Sequence, residues 1–274
     1  MSDHLLQAVV LAIVQGITEF LPISSSGHLV LVTHVFGWKD LGLPFDAAVH
    51  LGSLVAVLLY FRREWLQVAR EAVRPFRKQA APVSDPPPRP LLLLLLVATI
   101  PAAVAGLLAA GAVEAHFRGP VIVGWLLLFT GTVLVLGERL AKRRREMPDV
   151  TARDALLVGV AQVATLLPGV SRSGTTIAAG MSRGLSRETA ARFSFLMAGP
   201  VLLGAGVLEA WKVTVEGDWG SQWPVLGLGA LVSAVVSLVS IRALLAYIRR
   251  SSLLAFAAYS FTLGALVLVL NLAL

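Results

Sequence analysis

The chain has 274 residues, 57% of them hydrophobic and only 14% charged, against about 25% charged in an ordinary soluble domain. That balance excludes a soluble globular enzyme and identifies an integral membrane protein. The net charge of +7 invites a nucleic-acid reading, but the basic residues stand at the ends of apolar runs, where membrane topology puts them, and the lack of cysteine excludes disulfides and thiolate metal sites.

The first apolar run, 5–21, has no basic residue ahead of it, and Asp3 is the nearest charge. It therefore reads as retained structure rather than a cleaved signal. It breaks at "LPISSSGH" and resumes at 29–37. Broken backbone at membrane depth is tolerated only where protein buries it or it lines a wet cavity, so residues 5–37 are expected to form a re-entrant helix pair. A helical span needs roughly 20 mostly apolar residues. Segments 45–61, 91–113 and 120–140 qualify. The apolar run 155–170 then breaks at "LPGVSRSGTT" and resumes at 175–182, a second re-entrant pair. Spans 193–211, 223–245 and 253–274 follow. The expected fold is all-α and polytopic, with six transmembrane helices and two re-entrant pairs.

The connection 62–89, read as a loop with a stiff Pro-rich stretch at 84–90, carries Arg62, Arg63, Arg70, Arg74, Arg77, Lys78 and Arg89. The loop 139–153 carries Arg139, Lys142, Arg143, Arg144, Arg145 and Arg153. Two spans separate these loops, so both lie on one side, which the positive-inside rule makes the cytoplasm. Only Lys39, Arg118 and Lys212 fall opposite. The first re-entrant pair then enters from outside and the second from the cytoplasm.

An internal repeat supports that arrangement. Shifted by 147 positions, Gln15 meets Gln162, Thr18 meets Thr165, Ser24 meets Ser171, Ser26 meets Ser173 and Gly27 meets Gly174. Each copy, 1–147 and 148–274, holds a re-entrant pair and three spans. An odd number of spans inverts the second copy relative to the first, as in many transporters whose site lies where broken helices meet near the midplane.

The chemistry-bearing residues fall on the two breaks. Gln15 and Glu19, four apart, share one helix face. A charge at membrane depth costs at least roughly 2.5 kcal/mol and marks a function or a partner. Ser24, Ser25 and Ser26 supply hydroxyls or a helix cap. Gly27 permits an unusual backbone angle or a close approach, and His28 can serve as a base near neutral pH. In the second break Arg172, flanked by Ser171 and Ser173, is the basic residue placed within the bilayer core. Its planar fork suits a phosphate or carboxylate, or pairs with Glu19. Gly174, Thr175 and Thr176 complete that turn. His50 reads as a buried polar group beside the site and Glu138 as interfacial. Together these residues describe an intramembrane site for a polyanion with a divalent cation, in an enzyme or a transporter.

At these residues the chain resembles the undecaprenyl-diphosphate phosphatase family, also called bacitracin-resistance proteins. "QGITEFLPISSSGHL" (15–29) is similar to its first motif, "PGVSRSGTT" (168–176) to its second and "RFSFLMAGP" (192–200) to a further shared stretch. The resemblance spans essentially the whole chain. It implies removal of the terminal phosphate of undecaprenyl diphosphate, recycling the lipid carrier of cell-wall synthesis. It also implies a divalent cation (Mg or Ca) and a multi-pass protein of the bacterial plasma membrane with its site facing outward. On this reading Glu19 holds the cation, Arg172 clamps the diphosphate, and Gln15, Ser24, Ser26, Gly27, Ser171, Ser173, Gly174 and Thr176 bind substrate. His28 orients or deprotonates the nucleophile, which is Ser25 or water. Gln15 replaces a Glu found in some members, which puts a two-carboxylate metal site in doubt. The expected partners are the isoprenoid diphosphate lipid and bilayer lipids, with no nucleic acid; a homodimer is left open. The rival reading is a lipid-phosphate flippase or anion transporter built on the same repeat.

Overall fold

The computed structural model describes residues 2–39, 41–73, 90–117, 119–142, 144–216 and 223–272. The Pro-rich positions 84–89, and Arg74, Arg77, Lys78, Arg118 and Arg143, lie outside the described residues. Eleven α-helices and no strand are present among those described: α1 Ser2–Thr18, α2 Ser25–Phe36, α3 Leu43–Tyr60, α4 Arg62–Val73, α5 Leu91–His116, α6 Pro120–Leu140, α7 Ala152–Val163, α8 Arg172–Ser182, α9 Arg187–Glu216, α10 Trp223–Ile248 and α11 Leu254–Leu272. Long apolar stretches of α5, α6, α9, α10 and α11 each suffice to cross a membrane, and α3 with α4 makes a sixth if counted as one bent span. The protein is an all-α polytopic membrane protein.

Both expected breaks are present. α1 and α2 pack on each other across the first, α7 and α8 across the second. The packing is reciprocal: α1 lies against α10 as α7 lies against α5, while α3 faces α9 and α6 faces α11. Lipid tails are as apolar as leucine, so helices in a membrane associate through close approach and polar contacts rather than through a hydrophobic drive. Glycines supply the approach. A Cβ on Gly52 of α3 would run into the Ala230 carbonyl oxygen of α10, and one on Gly159 of α7 into the Ala98 carbonyl oxygen of α5. The polar contacts lie beside the first crossing, where Ser53 Oγ is 3.0 Å from Ser237 Oγ and 3.2 Å from Ser233 Oγ, and Ser233 Oγ donates to Val49 O at 2.7 Å.

Two expectations change. Residues 62–73 are not loop but helix α4, bent by 87° from α3. Its arginines Arg62, Arg63 and Arg70 are exposed while Val68 is buried, the pattern of a surface helix. Glu64 pairs with Arg192 of α9, whose guanidinium also lies 5.5 Å from the Phe61 ring centre. Glu71 accepts the Leu92 N–H at 2.8 Å and so caps α5. Glu138, expected at the interface, is buried within the protein. It is 8% exposed and takes a forked pair of hydrogen bonds from Arg187, at 2.8 and 2.7 Å. It also accepts the Leu253 N–H at 2.8 Å. One carboxylate thereby joins the end of α6 to the starts of α9 and α11.

A second clasp gathers the connections 144–151 and 183–186. Asp154, fully buried, accepts from Arg145 at 2.6 Å and from Arg183 at 3.0 Å, and Thr151 caps α7 on the Asp154 N–H. Burial opposes ionisation of Asp154, but the hydrogen bonds from Arg145, Thr151 and Arg183 outweigh it and hold the carboxyl well below the usual range.

The glycine crossings carry a direct expectation. Gly52→Ala forces the added methyl onto backbone, and overpacking of this kind costs about 1–3 kcal/mol. Gly227→Ala in α10 meets open space and gains helix propensity. Thermal unfolding of the purified variants should show a lowered midpoint for the first and an unchanged or raised one for the second.

Candidate active site

The site lies where the two breaks touch. α1 stops at Thr18, whose hydroxyl turns back onto the Val14 carbonyl at 2.6 Å; Pro22, lacking an N–H, prevents its resumption. Ser24 has φ 74°, the one positive φ at a non-glycine residue among those described. This sparsely populated backbone conformation persists only where its surroundings enforce it. In it Ser24 Oγ accepts the Gly27 N–H at 3.3 Å and caps α2. The second break repeats the device. Gly169 takes the positive φ, 109°, and Ser171 Oγ accepts the Gly174 N–H at 3.1 Å to cap α8. Thr130 of α6 pins this turn by donating to Gly169 O at 2.9 Å and accepting from Ser171 N–H at 3.0 Å.

Gly27 and Gly174 serve close approach, not an unusual φ. A Cβ on Gly27 would lie 3.1 Å from Gly169 Cα, and one on Gly174 3.3 Å from Pro22 Cβ. Ser173 Oγ donates to Leu21 O at 3.0 Å, tying the turns together. The N-termini of α2 and α8 are thus brought to one place. A helix N-terminus carries unpaired N–H groups and about half a positive charge, so it attracts anions.

Glu19 and Arg172 meet across this junction. Glu19 is 7% exposed. Its Oε1 accepts from Arg172 Nη2 at 3.0 Å and Nε at 3.3 Å. Its Oε2 accepts from Ser25 Oγ at 2.6 Å and from Gln15 Nε2 at 3.1 Å. Arg172 Nη1 donates to Ser194 O at 3.3 Å. The residues next in sequence to Glu19 and Ser194, Phe20 and Phe195, are both fully buried and meet edge-on with ring centres 5.2 Å apart. Such apolar packing lowers the local dielectric and strengthens each charge interaction beside it.

The structure brings Gln15, Glu19, Ser25 and Arg172 into one hydrogen-bonded set. Ser24, Ser26, Gly27, Ser171, Ser173 and Gly174 form the turns that hold it. Thr176 stands one helical turn beyond, bonded to Arg172 O and to Ser194 Oγ, each at 2.7 Å. His28 faces elsewhere. Its Nδ1 is 2.7 Å from Ser24 O and its Nε2 2.7 Å from the Tyr259 hydroxyl. The Ser25 proton points at Glu19, not at His28. Tyr259, Thr130 and Ser194 were not anticipated. Ser194 falls within the stretch 192–200 already noted for its resemblance, whereas Thr130 and Tyr259 are polar groups in apolar spans that no motif marks.

A cavity of about 790 Å³ adjoins the site, lined by Ser26, Leu29, Val30 and His50 and by residues of α5, α7 and α9, among them Gln162 and Trp211. Its wall is mostly apolar, with polar groups confined to a few positions. That is the anatomy of a pocket that accepts a greasy ligand and orients it by its polar end.

Similarity to known proteins agrees with this geometry. The family described as Bacitracin resistance protein BacA matches residues 8–266. The chain is 45% identical over 269 residues to the undecaprenyl-diphosphatase of Rubrobacter xylanophilus, covering 97% of this chain and 98% of that protein. It is 42% identical over 269 residues to undecaprenyl-diphosphatase 2 of Stutzerimonas stutzeri, with the same coverage. It is 44% identical over 262 residues to the undecaprenyl-diphosphatase of Gemmatimonas aurantiaca, covering 95% and 96%. With its two polar turns closed on one another at membrane depth, and with similarity running nearly end to end, the chain belongs to the BacA bacitracin-resistance family.

Proposed function

We propose that this protein hydrolyses undecaprenyl diphosphate to undecaprenyl phosphate and inorganic phosphate, and that Ser25 is its nucleophile. The observation that carries the reading is the 2.6 Å hydrogen bond from Ser25 Oγ to Glu19 Oε2. A hydroxyl held on a buried carboxylate, with an arginine on the carboxylate's other oxygen, is an activated nucleophile beside an anion clamp. The terminal phosphate lies between the N-termini of α2 and α8, and Arg172 directs its remaining N–H groups to the phosphate oxygens. Ser25 Oγ attacks phosphorus and its proton passes to Glu19. The bond to the bridging oxygen breaks and undecaprenyl phosphate leaves. Glu19 passes that proton to the departing undecaprenyl phosphate. Water then attacks the phosphoserine and gives a proton to Glu19, the phosphorus–Oγ bond breaks, and Oγ takes that proton back as phosphate and Ser25 are freed. Phosphoryl transfer depends mainly on positioning and charge neutralisation, which the two helix termini and Arg172 supply. His28, bonded to Ser24 O, orients the turn that presents Ser25. The isoprenoid chain occupies the apolar cavity beside Ser26.

A divalent cation, Mg²⁺ or Ca²⁺, fits the oxygen donors present. Gln15 Oε1 is buried and has no hydrogen-bond partner among the described residues, and it adjoins the Glu19 carboxylate. One carboxylate with substrate phosphates is a usual Mg²⁺ environment. Glu19 and Gln15 would hold the ion, which would neutralise charge on the diphosphate. The reciprocal helix packing supports two inverted halves, 1–147 and 148–274. The arginines clustered with Glu138 and Asp154 support a cytoplasmic location for that end of the bundle. The catalytic turns then face the outside of the bacterial plasma membrane.

Phosphate release from a prenyl diphosphate tests the reading, and chelation should suppress it. Ser25→Ala should lower turnover by at least roughly a thousandfold, because the covalent step disappears. Turnover near wild type in Ser25→Ala would make water the nucleophile. No release with any divalent cation would leave a flippase or transporter.

Arg172→Ala should lose roughly 30- to 1000-fold in rate, the usual effect of one charge-stabilising donor. Arg172→Lys should fall between, keeping charge without the fork. Removing one partner of a buried ion pair also costs about 3–5 kcal/mol of stability. The double change Glu19→Gln with Arg172→Met should therefore recover thermal stability while activity stays lost. A double variant that is both stable and active would show that the pair serves folding alone.

With no native cysteine in the chain, single cysteines report topology cleanly. Lys39→Cys should react with an impermeant thiol reagent on intact cells and Arg250→Cys only after lysis. The reverse pattern would invert the orientation.

A further inference from the structure

Gln162 of α7 is 1% exposed, and neither its amide nitrogen nor its amide oxygen has a hydrogen-bond partner among the described residues. A buried amide left unpaired is costly. Gln162 also lines the 790 Å³ cavity, as do Ser26 and His50. The repeat explains how it comes to be open. Gln162 holds in the second re-entrant pair the place Gln15 holds in the first. Gln15 gives its N–H to Glu19, four residues on, whereas four residues after Gln162 the chain has Leu166. The neighbouring hydroxyls do not fill the gap. Thr165 Oγ1 donates to the Gln162 backbone carbonyl at 2.7 Å and Thr99 Oγ1 to Leu95 O at 2.7 Å. Both hydrogens are committed to their own helices. Gln162 Nε2 is thus a buried donor without a partner, among the described residues, on a residue of the cavity wall.

We infer that Gln162 is a second head-group ligand, whose amide N–H turns to bond an oxygen of the substrate's diphosphate. This rests on the reading of the substrate given above. A lipid whose terminal phosphate reaches Ser25 passes Ser26 and enters the cavity that Gln162 lines. An isoprenoid tail has no polar atom, so the one part of that lipid able to complete a buried amide is its diphosphate. In the substrate-free protein the amide is a stability defect retained for binding.

The experiment compares purified wild type with Gln162→Leu and Gln162→Glu, using a short-chain prenyl diphosphate as substrate and inorganic pyrophosphate as competitive inhibitor. A hydrogen bond to a charged group supports roughly tenfold or more in affinity. Gln162→Leu should raise KM by about that factor and weaken pyrophosphate inhibition in parallel, with kcat changed far less. It should also raise the substrate-free melting temperature, by roughly 2–4 °C, because an unpaired buried amide is replaced by a hydrocarbon of similar size. Gln162→Glu keeps the shape and adds negative charge, so its KM should rise further. Unchanged KM and inhibition in both variants would overturn the assignment, as would a KM that rises while pyrophosphate inhibition stays constant. A lowered melting temperature of Gln162→Leu at unchanged KM would make the amide structural. Failure of the wild type itself to release phosphate would instead overturn the proposed function.

Discussion

The contact between Glu19 and Arg172 is the constraint on which the site depends. Two ionised side chains at membrane depth are tolerable only together, since either alone would be a buried uncompensated charge. The pair lies 153 residues apart in the chain and joins the two broken helices. Its geometry also leaves work for each partner. Both Glu19 oxygens are engaged, one by the arginine and one by the Ser25 hydroxyl and the Gln15 amide. The ion pair and the serine hydrogen bond therefore share one carboxylate.

The surrounding turns keep that carboxylate in place. Ser24 and Ser171 cap the helices that begin at the site, while Thr130 and Ser173 bind the turns to α6 and to each other. The close approach of Gly27 to Gly169 and of Gly174 to Pro22 leaves no room for side chains between them. Two helix N-termini, the kind of place that favours negative charge, consequently begin beside one another. The strained φ of Ser24 is the cost of presenting Ser25 toward Glu19, and the His28 bond to Ser24 O holds that backbone.

The Glu138 and Asp154 clasps fix the helix ends rather than the chemistry. Glu138 gathers the ends of three helices and Asp154 binds two connections. Both carboxylates are fully engaged with arginines at the basic end, where charge density favours binding in place. Glu19 differs in its partners: one arginine on one oxygen, and a serine hydroxyl and a glutamine amide on the other.

The sequence by itself determined the membrane class, the positions of the spans, the two breaks and the side on which basic residues collect. These follow from hydropathy, from Pro, Gly and Ser at the turns and from the placement of Lys and Arg, all of which act within a few residues. It also singled out Glu19, Ser25, Arg172 and Gln15 as costly or unusual at membrane depth. Helix α4 was missed because its arginines interrupt the apolar run, although its amphipathic spacing was present. Tertiary structure alone decided that Glu19 meets Arg172, that Ser25 gives its hydrogen to Glu19, and that His28 turns to Tyr259 of the last helix. It also decided that Glu138 is buried. Those pairings depend on where helices cross, and the crossings depend on contacts such as Gly52 with Ala230 and Gly159 with Ala98. No local pattern encodes the distance between residues brought together from opposite ends of the chain.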